Sequence, residues 1–119
     1  MGIDTFSATN GINKYTATLD ANGISNAINV QGEWPACIYV PKGMVGTSLT
    51  FKASCDDGSS FSEVRDDTNT AITVTISATA ACIGLRRLFP FAVGQLQIIS
   101  GGTTSDAGKV LTLTTQKPA

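Results

Sequence analysis

Apolar and polar residues alternate with a period of two along most of this chain, in short runs broken by Gly, Asp, Asn and Pro, which predicts β-strands. In the run 48–55, Leu49, Phe51, Ala53 and Cys55 point one way while Thr50, Lys52 and Ser54 point the other. Asp57-Gly58 supplies residues that tolerate positive φ, and Phe61 and Val64 bring apolar side chains back, so 48–65 predicts a β-hairpin around an Asp-Gly turn. Residues 71–77, AITVTIS, make the cleanest amphipathic strand, with Ile72, Val74 and Ile76 inward. Further strands are predicted at 14–19 (Tyr15, Ala17 and Leu19 inward), 27–30 (Ile28, Val30), 36–40, 79–85 (Cys82, Ile83 and Leu85 in the core), 95–100 (Leu96, Ile98) and 109–115 (Leu111, Leu113). Pro35 and Pro41 are read as strand ends, because Pro donates no ladder hydrogen bond. Residues 86–94 are irregular, and no run has the apolar spacing of an amphipathic helix longer than two turns.

Eight or nine short strands of this kind leave a sandwich or a barrel, and the expected fold is an all-β, two-sheet β-sandwich of jelly-roll or similar Greek-key type. An immunoglobulin-like sandwich is the alternative, although Trp34 precedes all three cysteines and so breaks the Cys, Trp, Cys order of true immunoglobulin domains. The expected organisation is a polar N-terminal arm at 1–13, one β-sandwich domain at 14–115 and a short tail at 116–119. A chain of 119 residues buries roughly two-thirds of its unfolded surface, which suffices for a core without a metal or disulfide staple.

Composition narrows the function. Charged residues make up 14% of the chain, against about 25% in an average soluble protein, with Thr, Ser, Ala, Gly and Asn in their place. The net charge of −1 argues against electrostatic capture of nucleic acid or an anionic membrane, so neither is expected as a partner. No apolar run approaches the roughly 20 residues of a membrane-spanning helix, and the first residues lack a basic stretch followed by an apolar one, so a cytosol-like compartment is expected. Histidine is absent, which removes Ser-His-Asp and Cys-His nucleophile arrangements and histidine metal sites. Cys37, Cys55 and Cys82 are odd in number without CxxC spacing, and are expected as buried free thiols. The expectation is a protein that is not an enzyme and carries no cofactor.

The remaining candidates each have a functional and a structural reading. The carboxylates Asp56, Asp57, Glu63, Asp66 and Asp67 could offer oxygens to Ca²⁺, or serve as turn formers that bond the local backbone; the turn reading is preferred. Gly101-Gly102-Thr103-Thr104 lacks the Lys and the following helix of a phosphate loop and is read as a long hairpin loop. Trp34 and Tyr39 are either a sugar-stacking platform or packing residues. One of Arg86 and Arg87 is expected to pair with an acidic turn and the other to face a partner. Phe89-Pro90-Phe91 is either a pair of interface anchors or a hydrophobic plug at one end of the sandwich.

Several short motifs together resemble small structural proteins of tailed bacteriophages. They are Thr47-Ser48-Leu49-Thr50-Phe51, the run from Ser54 through Asp57-Gly58-Ser59-Ser60-Phe61, Val64, Asp66-Asp67, Thr73-Val74, and Leu96 through Ile98-Ile99-Ser100-Gly101. The likeness, over roughly 45–115, is to the capsid decoration or cement family, or to a similar domain of phage fibre and tail proteins. Cys55, Asp56 and the segment 88–91 depart from it, and 1–13 lie outside it. The resemblance implies a jelly-roll-like domain on the capsid surface of a virion assembled in the host cytoplasm, holding neighbouring major capsid proteins together and forming a homo-oligomer, dimer or trimer. The residues expected at such an interface are Ile3, Phe6 and Ile12 from the arm, with Arg86, Arg87, Phe89 and Phe91. A carbohydrate- or host-binding module of a fibre or tail is the alternative.

Overall fold

The computed structural model describes residues 12–89 and 94–116. The described chain is all-β: β1 (Ile12–Thr18), β2 (Ile28–Asn29), β3 (Trp34–Val40), β4 (Ser48–Ser54), β5 (Ser62–Glu63), β6 (Val74–Thr75), β7 (Ala81–Gly84), β8 (Gln95–Ser100) and β9 (Val110–Gln116), with one 3₁₀ turn at Thr103–Asp106. The strands form two antiparallel sheets, one ordered β1-β9-β3-β7 and the other β2-β8-β4-β5, with β6 pairing β4 as well. The sheets pack face to face as a β-sandwich.

The alternation in the sequence explains the core. Ala17, Ile38, Val40, Leu111 and Leu113 turn inward from the first sheet, and Ile28, Leu49, Phe51, Val74, Leu96 and Ile98 meet them from the second in one buried cluster. At roughly 25 cal/mol per Å² of buried apolar surface, this cluster is the main source of stability. Ile72, Val74 and Ile76 are all buried as expected, although only Val74–Thr75 within that run pairs as a strand.

The hairpin at 48–65 is present, with Ala53 opposite Ser62 and Lys52 opposite Glu63. Its turn residues Asp57 (φ 57°) and Gly58 (φ 91°) both adopt the left-handed region, inside a connection longer than a two-residue turn. Ser54 organises that connection: its hydroxyl accepts from Gly58 N (2.7 Å) and donates to Asp56 Oδ1 (2.8 Å). The alternation consequently stops at Ala53, with Ser54 buried and Cys55 exposed.

The structure corrects several expectations. β1 begins at Ile12 and β9 runs to Gln116, so the first and last strands reach beyond the expected 14–19 and 109–115. Pro35 lies within β3, where the register against β9 shifts between Pro35 and Cys37, and this irregularity accommodates a residue without an N–H. The cysteines are not buried: Cys55 and Cys82 are exposed and Cys37 is half-buried. Cys82 and Ile83 are adjacent in β7 and cannot both face the core; Ile83 packs on it and Cys82 turns outward. Phe89 is fully buried and meets Phe51 edge-on at 4.9 Å, so it is a core residue and not the exposed interface anchor expected of it. Ile3, Phe6, Phe91, Pro90 and most of the arm and tail lie outside the described residues.

Candidate interaction surface

The outer face of the β1-β9-β3-β7 sheet is built by register. Trp34 lies opposite Gln116, which lies opposite Ile12; Cys37 lies opposite Thr114, which lies opposite Lys14; Tyr39 lies opposite Thr112, which lies opposite Thr16. Val110 and Thr18 complete the next row, and Cys82 and Gly84 extend the face onto β7. Since neighbours in each strand point into the core, these residues point out. Lys14 is the one charged residue among these outward strand positions, and Thr fills four of them. Ile12 (57% exposed), Tyr39 (41%) and Val110 (44%) are three of the four exposed large hydrophobic residues of the described chain.

Arg86 lies over one end of this face. Its guanidinium carbon sits 5.2 Å from the Trp34 ring centroid, and its Nη1 donates to Gln116 Oε1 at 3.1 Å. Trp34 and Gln116 thus replace the acidic turn expected as an arginine partner. Arg87 is exposed beside it. The ion pair found among the described residues is instead Arg65 to Glu63, 3.0 Å apart and solvent-exposed, so it contributes at most about 1 kcal/mol.

Beneath the same end of the sheet a buried carboxylate holds the strands together. Glu33, 3% exposed, accepts from Asn13 Nδ2 (2.7 Å), Tyr15 OH (3.1 Å) and Thr115 Oγ1 (2.5 Å). These bonds tie β1 and β9 to the entry of β3 and so fix where Trp34 emerges. Burial, and then the bond and charge of Glu33, push the Tyr15 phenol above its ordinary pKa.

A second node fastens the opposite loops. Asp106 is fully buried and accepts from Val45 N (2.7 Å), Gly46 N (2.9 Å) and Ser100 Oγ (2.5 Å). Burial opposes its ionisation most strongly, but the bonds from Ser100, Val45 and Gly46 and the charge of Lys109 together outweigh it and hold the carboxyl below the usual carboxylate range. The approach is close enough that a Cβ on Gly102 would collide with Asp106 Oδ2 and stand 2.6 Å from Gly46 N. Neither Glu33 nor Asp106 stood out from the sequence. For Asp106 the available signal was the concentration of Gly at 46, 101 and 102, which permits backbones to approach; Glu33 had no comparable signal.

The second sheet bears a groove of about 650 Å³, lined by Asn29, Gln31, Ser54, Arg65, Gln95 and neighbours, with Cys55 on its wall. Its carboxylates are Asp57 and the ion-paired Glu63, which gives it no separated acid and base. The acidic turns are occupied by their own loops. Asp56 accepts from Ser54 Oγ and from Ser60 N and Oγ, and Asp66 from Thr68 N, Thr68 Oγ1 and Thr70 N. Both carboxyls are held below their ordinary pKa, Asp56 chiefly by Ser60 and Asp66 chiefly by Thr68. No group of three or more His, Cys, Asp or Glu among the described residues could hold a metal ion.

Trp34 and Tyr39 therefore share one outer face, Arg86 covers the first of them, Ile12 extends the face, and Phe89 is withdrawn into the core. The surface can offer a contact area with few charges. Neither protein-family models nor curated proteins match this chain.

Proposed function

We propose that this chain is a structural virion domain, a capsid decoration protein of jelly-roll type that docks the outer face of its β1-β9-β3-β7 sheet on neighbouring major capsid proteins. The observation that carries this reading is the character of that face: apolar side chains at Ile12, Tyr39 and Val110 set among threonines, with Lys14 the one charged residue of its strands. Interface cores are depleted in charge and enriched in aromatics, with Arg at their hot spots, and the stack of Arg86 on Trp34 supplies such a pair.

The strand order supports the jelly-roll reading. The pairs β1·β9, β2·β8, β3·β7 and β4·β5 are nested antiparallel partners, as expected of one long hairpin rolled into two sheets, with β6 a short addition in the β5–β7 connection. Such a domain achieves strong attachment by repetition, because weak contacts multiplied over a symmetric shell give high avidity. A homo-oligomer on the shell fits the same logic.

The test is add-back of purified chain to shells assembled without it. Wild-type chain should occupy the shells and raise their disruption temperature, while Tyr39→Glu with Val110→Glu should fold normally and lose occupancy at least about tenfold, given two desolvated charges. Undiminished occupancy by the double variant would refute docking through this face. The fibre-module reading instead requires sugar binding at Trp34 or Tyr39, or Ca²⁺ at the acidic turns. Arg86 over Trp34 and the local bonds of Asp56 and Asp66 count against it. Glycan binding lost on Tyr39→Ala, or Ca²⁺-dependent binding lost on Asp56→Ala and Asp66→Ala, would favour that reading over docking.

A further inference from the structure

β3 and β7 pair with Cys37 opposite Gly84 and Tyr39 opposite Cys82, and the intervening pair, Ile38 and Ile83, turns toward the core. Cys37 and Cys82 therefore project from the same outer face as diagonal neighbours on adjacent antiparallel strands. Side chains so placed come within reach of each other, and strand twist draws one of the two diagonals together. Cys37 and Cys82 occupy one such diagonal, and the neighbouring Cys82 is among the causes that raise the Cys37 pKa. Gly84 places no side chain beside Cys37, and the space its Cβ would take is open for 4 Å around. Cys82 is exposed and Cys37 half-buried, so a reagent from solvent reaches the pair. Cys55, the third thiol, stands at the end of β4 in the other sheet.

We propose that Cys37 and Cys82 form a dithiol modification site, which closes to an intramolecular disulfide by exchange with a low-molecular-weight disulfide such as glutathione disulfide. Cys82, the more exposed, gives its proton to solvent, and its thiolate attacks one sulfur of glutathione disulfide; that S–S bond breaks and one glutathione thiolate leaves, taking up a proton. Cys37 then loses its proton to solvent and attacks the Cys82 sulfur of the mixed disulfide, and the second glutathione leaves in the same way. Two protein thiols are oxidised and one glutathione disulfide is reduced to two glutathione thiols, so atoms and electrons balance. The order follows from access, and burial, then the neighbouring Cys82, hold the Cys37 thiol above its ordinary pKa, which suits it to the second, intramolecular step. β7 is an edge strand, hydrogen-bonded to β3 on one side, so it can make the small shift that disulfide geometry demands. The bond then fastens that edge to the sheet. The site is independent of whether the face around it docks on a shell.

The experiment uses the full chain carrying Cys55→Ser, incubated with glutathione disulfide at about pH 8, where thiolate is available, and read by intact mass without reduction. The expected product is monomeric, lighter by about 2 Da and free of glutathione, with Cys37 and Cys82 joined in the peptide map. Its thermal midpoint should exceed that of the reduced chain by about 5 °C or more, as closure of a long loop predicts. Adding Cys82→Ser should abolish the mass loss, with folding checked by circular dichroism. Stable glutathione adducts on both cysteines, covalent dimers, or no reaction in a folded chain would each overturn the proposal. So would a Cys37–Cys55 or Cys55–Cys82 link as the main product of the wild-type chain.

Discussion

Asp106 shows how much one side chain holds. Replacing it with Ala leaves the Val45 and Gly46 amides and the Ser100 hydroxyl without their shared acceptor, and the expected loss is about 2–4 kcal/mol of unfolding free energy, measured by urea titration. Because its folded pKa is depressed, the stabilisation is fully present above the ordinary carboxylate value of about 3.9 and disappears as pH falls through the lower folded value. Asp106→Asn should therefore be less stable at neutral pH but lose less on acidification; an unchanged slope of stability below about pH 4 would contradict this. Asp56 and Asp66 act in the same direction at exposed turns, where solvent screens the effect. Local turn chemistry was readable, since Asp-Asp-Gly-Ser-Ser and Asp-Asp-Thr-Asn carry their bonding partners within a few residues. Asp106 was not, since two of its partners, Val45 and Gly46, lie about 60 positions earlier in the chain.

At the level of elements, alternation identified the inward-facing residues of most strands but not how far each strand pairs, and it fell short where geometry intervened. Ile72, Val74 and Ile76 were correctly placed inward, whereas Pro35 was read as a boundary because the irregularity that admits it depends on β9. Segment 86–94 had no period to read, and Phe89 became a core residue through its edge-on contact with Phe51 in β4. Phe89→Ala should cost about 3–5 kcal/mol, as for large-to-small changes in a packed core. A double-mutant cycle with Phe51→Ala should return a coupling of about 0.5–1.5 kcal/mol, and additivity of the two losses would show that the ring contact carries no energy of its own. In the hairpin, Gly58→Ala imposes a side chain at φ 91° and brings its Cβ to 2.9 Å from Gln95 Oε1. A cost of about 1–2 kcal/mol is expected in thermal melts, and no loss would mean that the turn relaxes freely.

For the whole molecule, pairing joins the first described strands to the last: β1 bonds to β9, and β2 to β8. Contacts so distant in sequence must close large loops before they stabilise anything, so refolding in the millisecond-to-second range is expected by stopped-flow fluorescence of Trp34, and microsecond refolding would be inconsistent with this topology. By itself the sequence determined that the chain is all-β, which residues of most strands face inward, where the turns fall, and that no histidine chemistry is available. The first three follow from neighbours one to four positions apart and the last from composition. The tertiary structure decided which strands lie side by side, and with that which outward residues become neighbours: Trp34 with Gln116 and Arg86, Cys37 with Cys82, and Ile12, Tyr39 and Val110 on one face. A period of two sets inside against outside within a strand, whereas its lateral partners are selected by packing two sheets around a common core.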